Sequence, residues 1–244
     1  MLARTLLQAA LPTTFGLKAA GWLAGVGEAR EGLAAVELAA QLGGPAGTLA
    51  SMGDAGVTVL GEFARQLELA EPELPWHTNR ARVARLGSAL AVAAGTLAKI
   101  ALDVELMAQT EVGEVAEPAG EPGRGGSSSM GHKRNPVGSV ITRACARRVA
   151  AASDVLVRAM EQEHERAAGA WHAEWQPLTE ALALTGGAAS AMREVLEGLD
   201  VRTERMKLNL EALEGQVPAE DLDPARYLGP AGALVDRALG RWRP

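Results

Sequence analysis

The sequence predicts an all-α protein built around a bundle of long helices. Of its 244 residues, 48% are hydrophobic but only 3% are aromatic, so the apolar side chains are largely aliphatic or alanine. This composition favours close-packed helices over a β-sandwich, which requires more β-branched and aromatic residues. Apolar residues also recur at steps of three and four over long stretches, which is the spacing of one helix face. A chain of this length can bury a sizeable core in one or two domains.

Three helices are predicted in the first half of the chain. Residues 1–12 form a short segment that ends at a proline, and apolar side chains then recur at helical spacing over residues 13–41. A glycine-proline break follows, and Asp54 is placed to cap a second helix over residues 54–70. The longest periodic run, at residues 83–107, predicts a helix of about 30 residues and about 45 Å. That length is typical of a bundle or an oligomer core.

Four further helices are predicted in the second half. Residues 136–162 form the first, and the apolar spacing over residues 175–196 predicts another long one. Asp200 is placed to cap a shorter helix over residues 200–213. The remaining tail is rich in turn-forming residues and ends in a short helix at residues 231–239.

The two halves are joined by a glycine-rich loop at residues 113–135. The loop contains six glycines, which suits a segment that closes on a ligand. Residues 122–153 contain no Asp or Glu but six Lys or Arg, in a protein of net charge -6. Asn135 and Pro136 have the residue types of an N-cap and a first helical position. Because free N–H groups and the macrodipole favour an anion at a helix N-terminus, we predict an anion site here.

Composition and charge exclude several classes of function. Cys145 is the only cysteine, so an internal disulfide is excluded and a reducing cytoplasm is the simplest compartment. A pI near 5.4 argues against nucleic-acid binding. No apolar run of about 18 residues occurs, so we expect no membrane association. No spacing of His, Cys and acidic residues resembles a metal site, and we predict neither a metal nor a cofactor.

The loop carries a motif with a close resemblance to a known family. From Gly126 to Pro136 the residues read Gly-Ser-Ser-Ser-Met-Gly-His-Lys-Arg-Asn-Pro. This segment resembles the Gly-Ser-Ser-x-Met-Pro-x-Lys-x-Asn-Pro signature of the fumarase/aspartase superfamily. Seven of the eight fixed positions match, and the exception is Gly131, where the family has proline.

Further segments are similar to one branch of that superfamily, 3-carboxy-cis,cis-muconate cycloisomerase. They are residues 4–8 with 12–18, 74–78, 109–115, and 162–166 with 171–175. Family members are longer, so the resemblance implies a chain without the N-terminal helical domain and without further helices between Leu213 and Asp221. We therefore predict a central long-helix bundle domain at residues 1–199 and a remnant of the small C-terminal helical domain at residues 200–244.

The resemblance implies proton transfer at a carbon next to a carboxylate, coupled to making or breaking a C–O bond in a small anionic polycarboxylate. Ser127 would be the general base, because N–H groups and nearby Lys133 can hold its oxyanion. Met130 would pack beneath the loop. The residues implied to bind substrate are all polar: Arg4, Thr5, Gln8, His77, Ser128, Lys133, Asn135 and Arg166. Family active sites are assembled from several subunits of a homotetramer, so the resemblance also implies a homo-oligomer.

Three alternatives compete with a cycloisomerase. The main one is a catalytically impaired or inactive helical fragment that acts only as an oligomerising module, given the missing first segment and Gly131. An adenylosuccinate-lyase-like C–N lyase is disfavoured, because Leu6 stands where such lyases carry a histidine general acid. The acid itself stays open among His77, His164 and His172. A nucleotide-phosphate loop is disfavoured because the pattern Gly-x-x-x-x-Gly-Lys-[Ser/Thr] is absent.

Overall fold

Long helices dominate the structure, a computed structural model that describes residues 1–118, 125–127, 129–131 and 133–242, apart from the side chains of residues 219 and 225. The helices are α1 Phe15–Ala34, α2 Gly56–Gln66, α3 Ala81–Ala108, α4 Val137–Arg158, α5 Ala170–Ala173, α6 Trp175–Glu197, α7 Thr203–Glu211, α8 Ala219–Leu222, α9 Pro224–Tyr227 and α10 Ala231–Trp242. The long helices predicted at residues 83–107 and 175–196 are confirmed as α3 and α6. Among the described residues, no helix is both long enough and apolar enough to cross a membrane.

Two small antiparallel sheets were not predicted from the sequence. In the first, β1 Leu2–Thr5 pairs with β2 Gln8–Pro12, and in the second, β3 Val115–Ala116 pairs with β4 Asp200–Val201. The segment at residues 1–12 is therefore a β-hairpin. Its turn residues Leu6 and Leu7 both have positive φ, at 49° and 66°. Two-residue hairpin turns normally use Asn-Gly or a similar pair at such angles, so the sequence carries no turn signal at this point.

Three predicted helix caps are wrong because the polar side chain lies or binds elsewhere. Asn135 does not cap α4, which begins at Val137, because the Asn135 side chain donates to Gly125 O at 3.2 Å. Asp54 falls inside a 3-10 turn at Ala50–Ala55, and α2 begins after Ala55 without any side-chain cap. Asp200 lies in strand β4, and the N-cap position of α7 is Arg202. Residue type shows which side chains are able to cap a helix, whereas the tertiary structure decides which of them do.

The chain forms two compact units, each described by itself. The first comprises Met1–Glu28, Thr96–Ala144 and Ala188–Pro244, and the second comprises Ala29–Gly95 and Cys145–Gly187. These units are not the two predicted domains, residues 1–199 and 200–244, and that boundary stays a prediction.

An apolar cluster forms the core of the first unit. Its buried members come mainly from the long helices: Trp22, Ile100, Ala101, Val104, Met107, Val115, Met192, Val195 and Met206. Burying a large apolar side chain of this kind contributes about 1.5–3 kcal/mol. Trp22 Nε1 donates to Asp103 Oδ2 at 2.7 Å, which satisfies the single polar atom of the indole. Because Val115 belongs to the cluster, the core anchors the first residues of the central loop.

Close helix packing and a buried ion pair hold the second unit. A Cβ on Gly87 would lie 2.7 Å from Leu156 Cδ1, so the glycine permits a close approach between α3 and α4. Arg80 Nε and Nη2 donate to the carboxylate of Glu174 at 2.9 and 2.5 Å, and Gln162 Nε2 adds a further bond at 3.0 Å. Removing one partner of such a buried pair costs about 3–5 kcal/mol. Glu174 is therefore a structural residue of this unit.

Candidate active site

Ser127 lies in the loop between β3 and α4, with a hydrogen bond to its hydroxyl oxygen. Met130 N–H donates to Ser127 Oγ at 3.1 Å, and Ser129 Oγ lies 3.4 Å away. The Met130 side chain, predicted to pack beneath the loop, is 43% exposed, and Met130 contacts Ser127 through its main chain. Lys133 N–H donates to Met130 O at 2.9 Å, and the lysine is exposed. An N–H group aimed at a serine oxygen stabilises the oxyanion more than the neutral hydroxyl.

A short bridge closes the base of this loop. Asn135 N and Nδ2 both donate to Gly125 O, at 2.8 and 3.2 Å, and Gly126 pairs with Arg134 in an antiparallel bridge. Gly125 has a φ of 75°, and a Cβ there would lie 2.9 Å from Asn135 O, so the position requires glycine. The bridge therefore fixes both ends of the segment that carries Ser127.

Glu117 occupies the N-terminus of α4, where the sequence predicts an anion site. Its carboxylate accepts from Gly138 N at 2.9 Å, from Ser139 N at 2.8 Å and from Ser139 Oγ at 2.6 Å. The predicted preference for an anion is correct, but the anion is a side chain of the same protein. A cavity of about 20 Å³ beside Glu117 and Asn135 has room for about one water. This helix end is therefore not open to a substrate.

The candidate ligands at the N-terminal hairpin differ in their partners. Arg4 Nη1 and Nη2 donate to the two carboxylate oxygens of Glu114, each at 3.0 Å. The Glu114 side chain is fully buried, whereas 27% of the Arg4 side chain is exposed. Thr5 and Gln8 are cross-strand partners next to the turn, and both are exposed. The hairpin therefore presents one arginine that is already paired and two polar side chains open to solvent.

In the second unit, the structure brings His77 and Arg166 together. Arg166 Nη1 lies 3.3 Å from His77 Nδ1. A guanidinium has only donors, so Nδ1 is the acceptor and the neutral ring carries its proton on Nε2. Arg166 also donates to Gly44 O at 2.7 Å and to Pro45 O at 3.3 Å. Main-chain carbonyls therefore hold this arginine beside the imidazole.

The surroundings of His77 disfavour its charged form. Burial of the ring lowers the pKa of His77 below its ordinary value, and the positive charges of Arg166 and Arg80 lower it further. The carboxylate of Glu174 raises it in opposition, as the smallest contribution. The ring also packs edge-on against Trp171, with centroids 4.7 Å apart. The neutral imidazole accepts a hydrogen bond from Arg166 at Nδ1, and its buried Nε2–H has no acceptor in the described part of the chain.

Of the residues predicted to bind substrate, Ser128 lies outside the described residues.

Two further carboxylates, those of Glu114 and Glu117, bind residues of the candidate site and were not predicted from the sequence. Glu114 binds Arg4 and Asn209, and Glu117 binds the main chain and Ser139 at the start of α4, so neither contact follows from the residues next to the glutamate in the sequence. Among the described residues, no group of three or more His, Cys, Asp or Glu is arranged to hold a metal ion.

The sequence profile of a lyase family matches residues 1–151 of the chain. The chain belongs to this lyase family. It is also homologous to 3-carboxy-cis,cis-muconate cycloisomerases, and the resemblance to that branch, read from segments outside the loop motif, is confirmed. The protein of that name from Bradyrhizobium diazoefficiens is 50% identical over 223 residues, which cover 90% of this chain and 49% of the relative.

Other relatives of the chain have different names. Nitrosuccinate lyase of Streptomyces davaonensis is 48% identical over 304 residues, covering 98% of this chain and 64% of the relative. Trans-aconitate decarboxylase 1 of Mycosarcoma maydis is 40% identical over 223 residues, covering 90% of this chain and 45% of the relative. These names describe different reactions, so membership of the lyase family does not by itself define the substrate of this chain.

Solved structures confirm the predicted all-α, long-helix fold of the lyase family. The crystal structure of 3-carboxy-cis,cis-muconate lactonizing enzyme from Pseudomonas putida matches with a TM-score of 0.87 and 34% identity, over 98% of this chain and 65% of that one. The chain spans about half the length of the cycloisomerases that it matches. The alignment with nitrosuccinate lyase is longer than this chain, so that relative carries residues without a counterpart here.

Proposed function

We propose that this protein interconverts 3-carboxy-cis,cis-muconate and carboxymuconolactone in the cytoplasm, as a step in aromatic-acid breakdown. The observation that carries the proposal is the hydrogen bond from Met130 N–H to Ser127 Oγ, at 3.1 Å, in a glycine-rich loop. Several 3-carboxy-cis,cis-muconate cycloisomerases at 44–50% identity support the choice of substrate. Together, the proposed base and the relatives favour proton transfer next to a carboxylate.

In the direction of lactone opening, the Ser127 oxyanion takes a proton from the carbon next to a carboxylate. The electron pair moves into that carboxylate to give an aci-carboxylate, which then expels the lactone oxygen as the C–O bond breaks. In the direction of cyclisation, a substrate carboxylate oxygen adds to the double bond and the Ser127 hydroxyl returns the proton to carbon. A serine oxygen performs this role only when N–H groups and positive charge stabilise it, and Met130 N–H supplies one such donor.

A tricarboxylate requires several donors and positive charges around it. The residues proposed to bind it are the polar ones predicted from the sequence: Arg4, Thr5, Gln8, His77, Ser128, Lys133, Asn135 and Arg166. Of these, Lys133 and Arg166 are exposed, and Arg4 is partly exposed beside its acid partner. Asn135 donates to Gly125 O through its main-chain N–H and one N–H of Nδ2, so we propose that the second N–H of Nδ2 donates to the substrate.

We also propose a homo-oligomer, and by resemblance a homotetramer. Several large apolar side chains on the long helices of the first unit remain exposed: Leu102, Val140, Ile141 and Leu196. Exposed apolar residues on long helices are typical of a surface that a second subunit covers.

The test follows the conjugated-diene absorbance of 3-carboxymuconate after addition of the purified protein. We expect the absorbance to fall, and Ser127→Ala to lower kcat by about 10²–10⁴, the usual contribution of a general base. Ser88→Ala, at an exposed serine of α3, is the matched control and should leave kcat unchanged. No loss of absorbance with the wild type, or an equal rate with Ser127→Ala, would contradict the proposal.

The similarity to nitrosuccinate lyase supports nitrosuccinate as a second candidate substrate, tested in a separate assay that follows formation of its unsaturated product. If the protein turns over nitrosuccinate but not 3-carboxymuconate, the proposed cycloisomerase activity is wrong. The protein is then a lyase that releases a leaving group from a succinate. Leu6 stands where adenylosuccinate-lyase-like enzymes carry a histidine acid, and this difference disfavours a lyase of that type. A helical oligomer that turns over neither compound would instead be the non-catalytic module.

A further inference from the structure

Glu114 is a fully buried acid that is fixed from several sides. Its main-chain N–H donates to Met107 O and its carbonyl accepts from Arg202 N, both at 2.9 Å. Asn209 Nδ2, on α7, donates to Glu114 Oε1 at 2.9 Å and to Val112 O at 2.8 Å. The side chain is 0% exposed. The carboxylate therefore has one defined position, and the chemistry proposed above does not use it.

Arg4 uses only part of its guanidinium on this acid. Nη1 and Nη2 bind Oε2 and Oε1 of Glu114, each at 3.0 Å, which is the end-on arrangement of an arginine–carboxylate pair. Nη1 makes a further, long contact of 3.5 Å with Leu2 O. A guanidinium carries five N–H groups. The N–H of Nε and one N–H of Nη2 remain, and within the described part of the chain no residue accepts from them.

Those two N–H groups form the side-on edge of the guanidinium, which two other arginines of this protein use. Arg80 binds the Glu174 carboxylate through Nε and Nη2, at 2.9 and 2.5 Å, and is only 8% exposed. Arg166 binds two carbonyls through the same two nitrogens. In Arg4 no described residue accepts from this edge, and 27% of the side chain is exposed. Arg4 thus holds one carboxylate and retains the geometry to bind a second.

We propose that Glu114 is a positioning residue that holds Arg4 end-on, so that the Nε–Nη2 edge of Arg4 receives one carboxylate of the substrate. The inference rests on the proposed function, because Arg4 is one of its substrate ligands. An arginine that is already immobilised loses less conformational entropy when a ligand binds than a free side chain does. Its rigid fork also selects a planar carboxylate, which a flexible ammonium does not do.

Two measurements on the full chain test the proposal. Calorimetry gives the affinity for propane-1,2,3-tricarboxylate, which serves as the binding probe, and kinetics with 3-carboxymuconate give KM and kcat. Glu114→Gln places an amide N–H against one N–H group of Arg4 and breaks the end-on pair. We expect the affinity to fall, and KM to rise, about tenfold to a hundredfold, with kcat changed less than about threefold. Arg4→Lys keeps the charge but has no fork, and it should show the same loss. The double variant should be no weaker than either single one, because both act through one contact.

Glu105→Gln is the matched control for the loss of a partly buried ion pair. Glu105 pairs with Arg143 in the same unit, and the Arg143 side chain is 27% exposed, as is that of Arg4. This variant should change the affinity for the tricarboxylate by less than about twofold. If Glu114→Gln does not fold by circular dichroism, Asn209→Ala takes its place. It removes one bond to Oε1 and should lower the affinity about threefold.

Chemical rescue separates a positioning role from a purely structural one. Ethylguanidinium added to Arg4→Ala should restore binding of the tricarboxylate, because Glu114 can hold the added guanidinium end-on. The same addition to the double variant Arg4→Ala/Glu114→Gln should restore none. Equal restoration in both, or wild-type affinity in folded Glu114→Gln, would overturn the proposal.

The positioning role and the proposed reaction fail in different ways. Binding that depends on Arg4 and Glu114, without turnover of 3-carboxymuconate, supports the positioning role and contradicts the reaction. Turnover with an unchanged KM in Glu114→Gln supports the reaction and overturns the positioning role. A wild type that binds no tricarboxylate overturns the positioning role whatever the kinetics show.

Discussion

Single residues in the candidate site differ in the hydrogen-bonding capacity that remains after their structural bonds are made. Ser127 Oγ accepts one bond from Met130 N–H and keeps a lone pair for a proton. Arg80 uses its side-on edge, Nε and Nη2, to bind a buried carboxylate, so it stabilises the fold. Arg4 binds Glu114 through its end-on edge, Nη1 and Nη2, so it is able to stabilise the fold and also to bind a ligand. Residue type alone does not distinguish these two arginines, and the contacts do.

His77 should make the protein less stable in mild acid. Burial and the neighbouring Arg166 and Arg80 lower the pKa of His77 below 6.5, so the unfolded chain accepts a proton that the native state resists. As the pH falls from 6.5 towards the native pKa, stability should decline by at most about 1.4 kcal/mol per pH unit, the limit for one proton. Urea denaturation at about pH 7 and about pH 5 measures the decline, and His77→Gln, which cannot take a proton, should show a smaller one.

His172→Gln is the control for that comparison. The His172 ring lies in the same aromatic cluster, with centroids 5.3 Å from Trp171 and 4.9 Å from Trp175. This variant should keep the pH dependence of the wild type. If His77→Gln loses as much stability in acid as the wild type does, the destabilisation belongs to another group.

Among the secondary-structure elements, α4 depends on a carboxylate from a distant segment. Glu117 accepts from Gly138 N, Ser139 N and Ser139 Oγ, so three donors at the start of α4 share one acceptor group. Glu117→Ala should lower the free energy of unfolding by about 1–2 kcal/mol, as expected for the loss of a helix cap. Glu117→Gln keeps one acceptor oxygen and should lose about half as much. Urea denaturation with an unchanged m-value checks both.

Glu161→Ala, at an exposed glutamate beyond the end of α4, is the control for Glu117→Ala and should be neutral within about 0.5 kcal/mol. A neutral Glu117→Ala would show that water satisfies the first N–H groups of α4 as well as the carboxylate does.

The elements also show which parts of the structure a sequence pattern encodes. Helices α3 and α6 follow from apolar residues at steps of three and four, since these residues build one buried face. The hairpin of β1 and β2 has leucines at the turn, whereas Asn-Gly is typical of such turns, so the sequence does not predict the hairpin. For the site, the loop motif predicts Ser127 and its neighbours. The pair of Arg4 and Glu114 joins residues 110 positions apart, and no local pattern encodes such a contact.

In the whole molecule, the helical core of the first unit leaves large apolar side chains in water. Val140 and Ile141, near the start of α4, are 53% and 45% exposed, and Leu102 of α3 and Leu196 of α6 are each 38% exposed. Each exposed apolar square ångström costs about 25 cal/mol relative to burial. A second copy of this chain that covers these side chains would recover that free energy, which is the physical basis for the proposed homo-oligomer.

Ile141→Glu should therefore convert the wild-type oligomer to a smaller species, because a carboxylate in an apolar interface is desolvated without a partner. Sedimentation equilibrium measures the mass, which for the wild type should be a multiple of 25.3 kDa, while circular dichroism checks that the helices remain. Leu67→Glu is the matched control: Leu67 follows α2 and is 49% exposed, close to the exposure of Ile141, and this variant should stay oligomeric. A wild type that sediments as a single chain would contradict the proposed assembly. Equal dissociation of both variants would place the interface elsewhere than on the exposed start of α4.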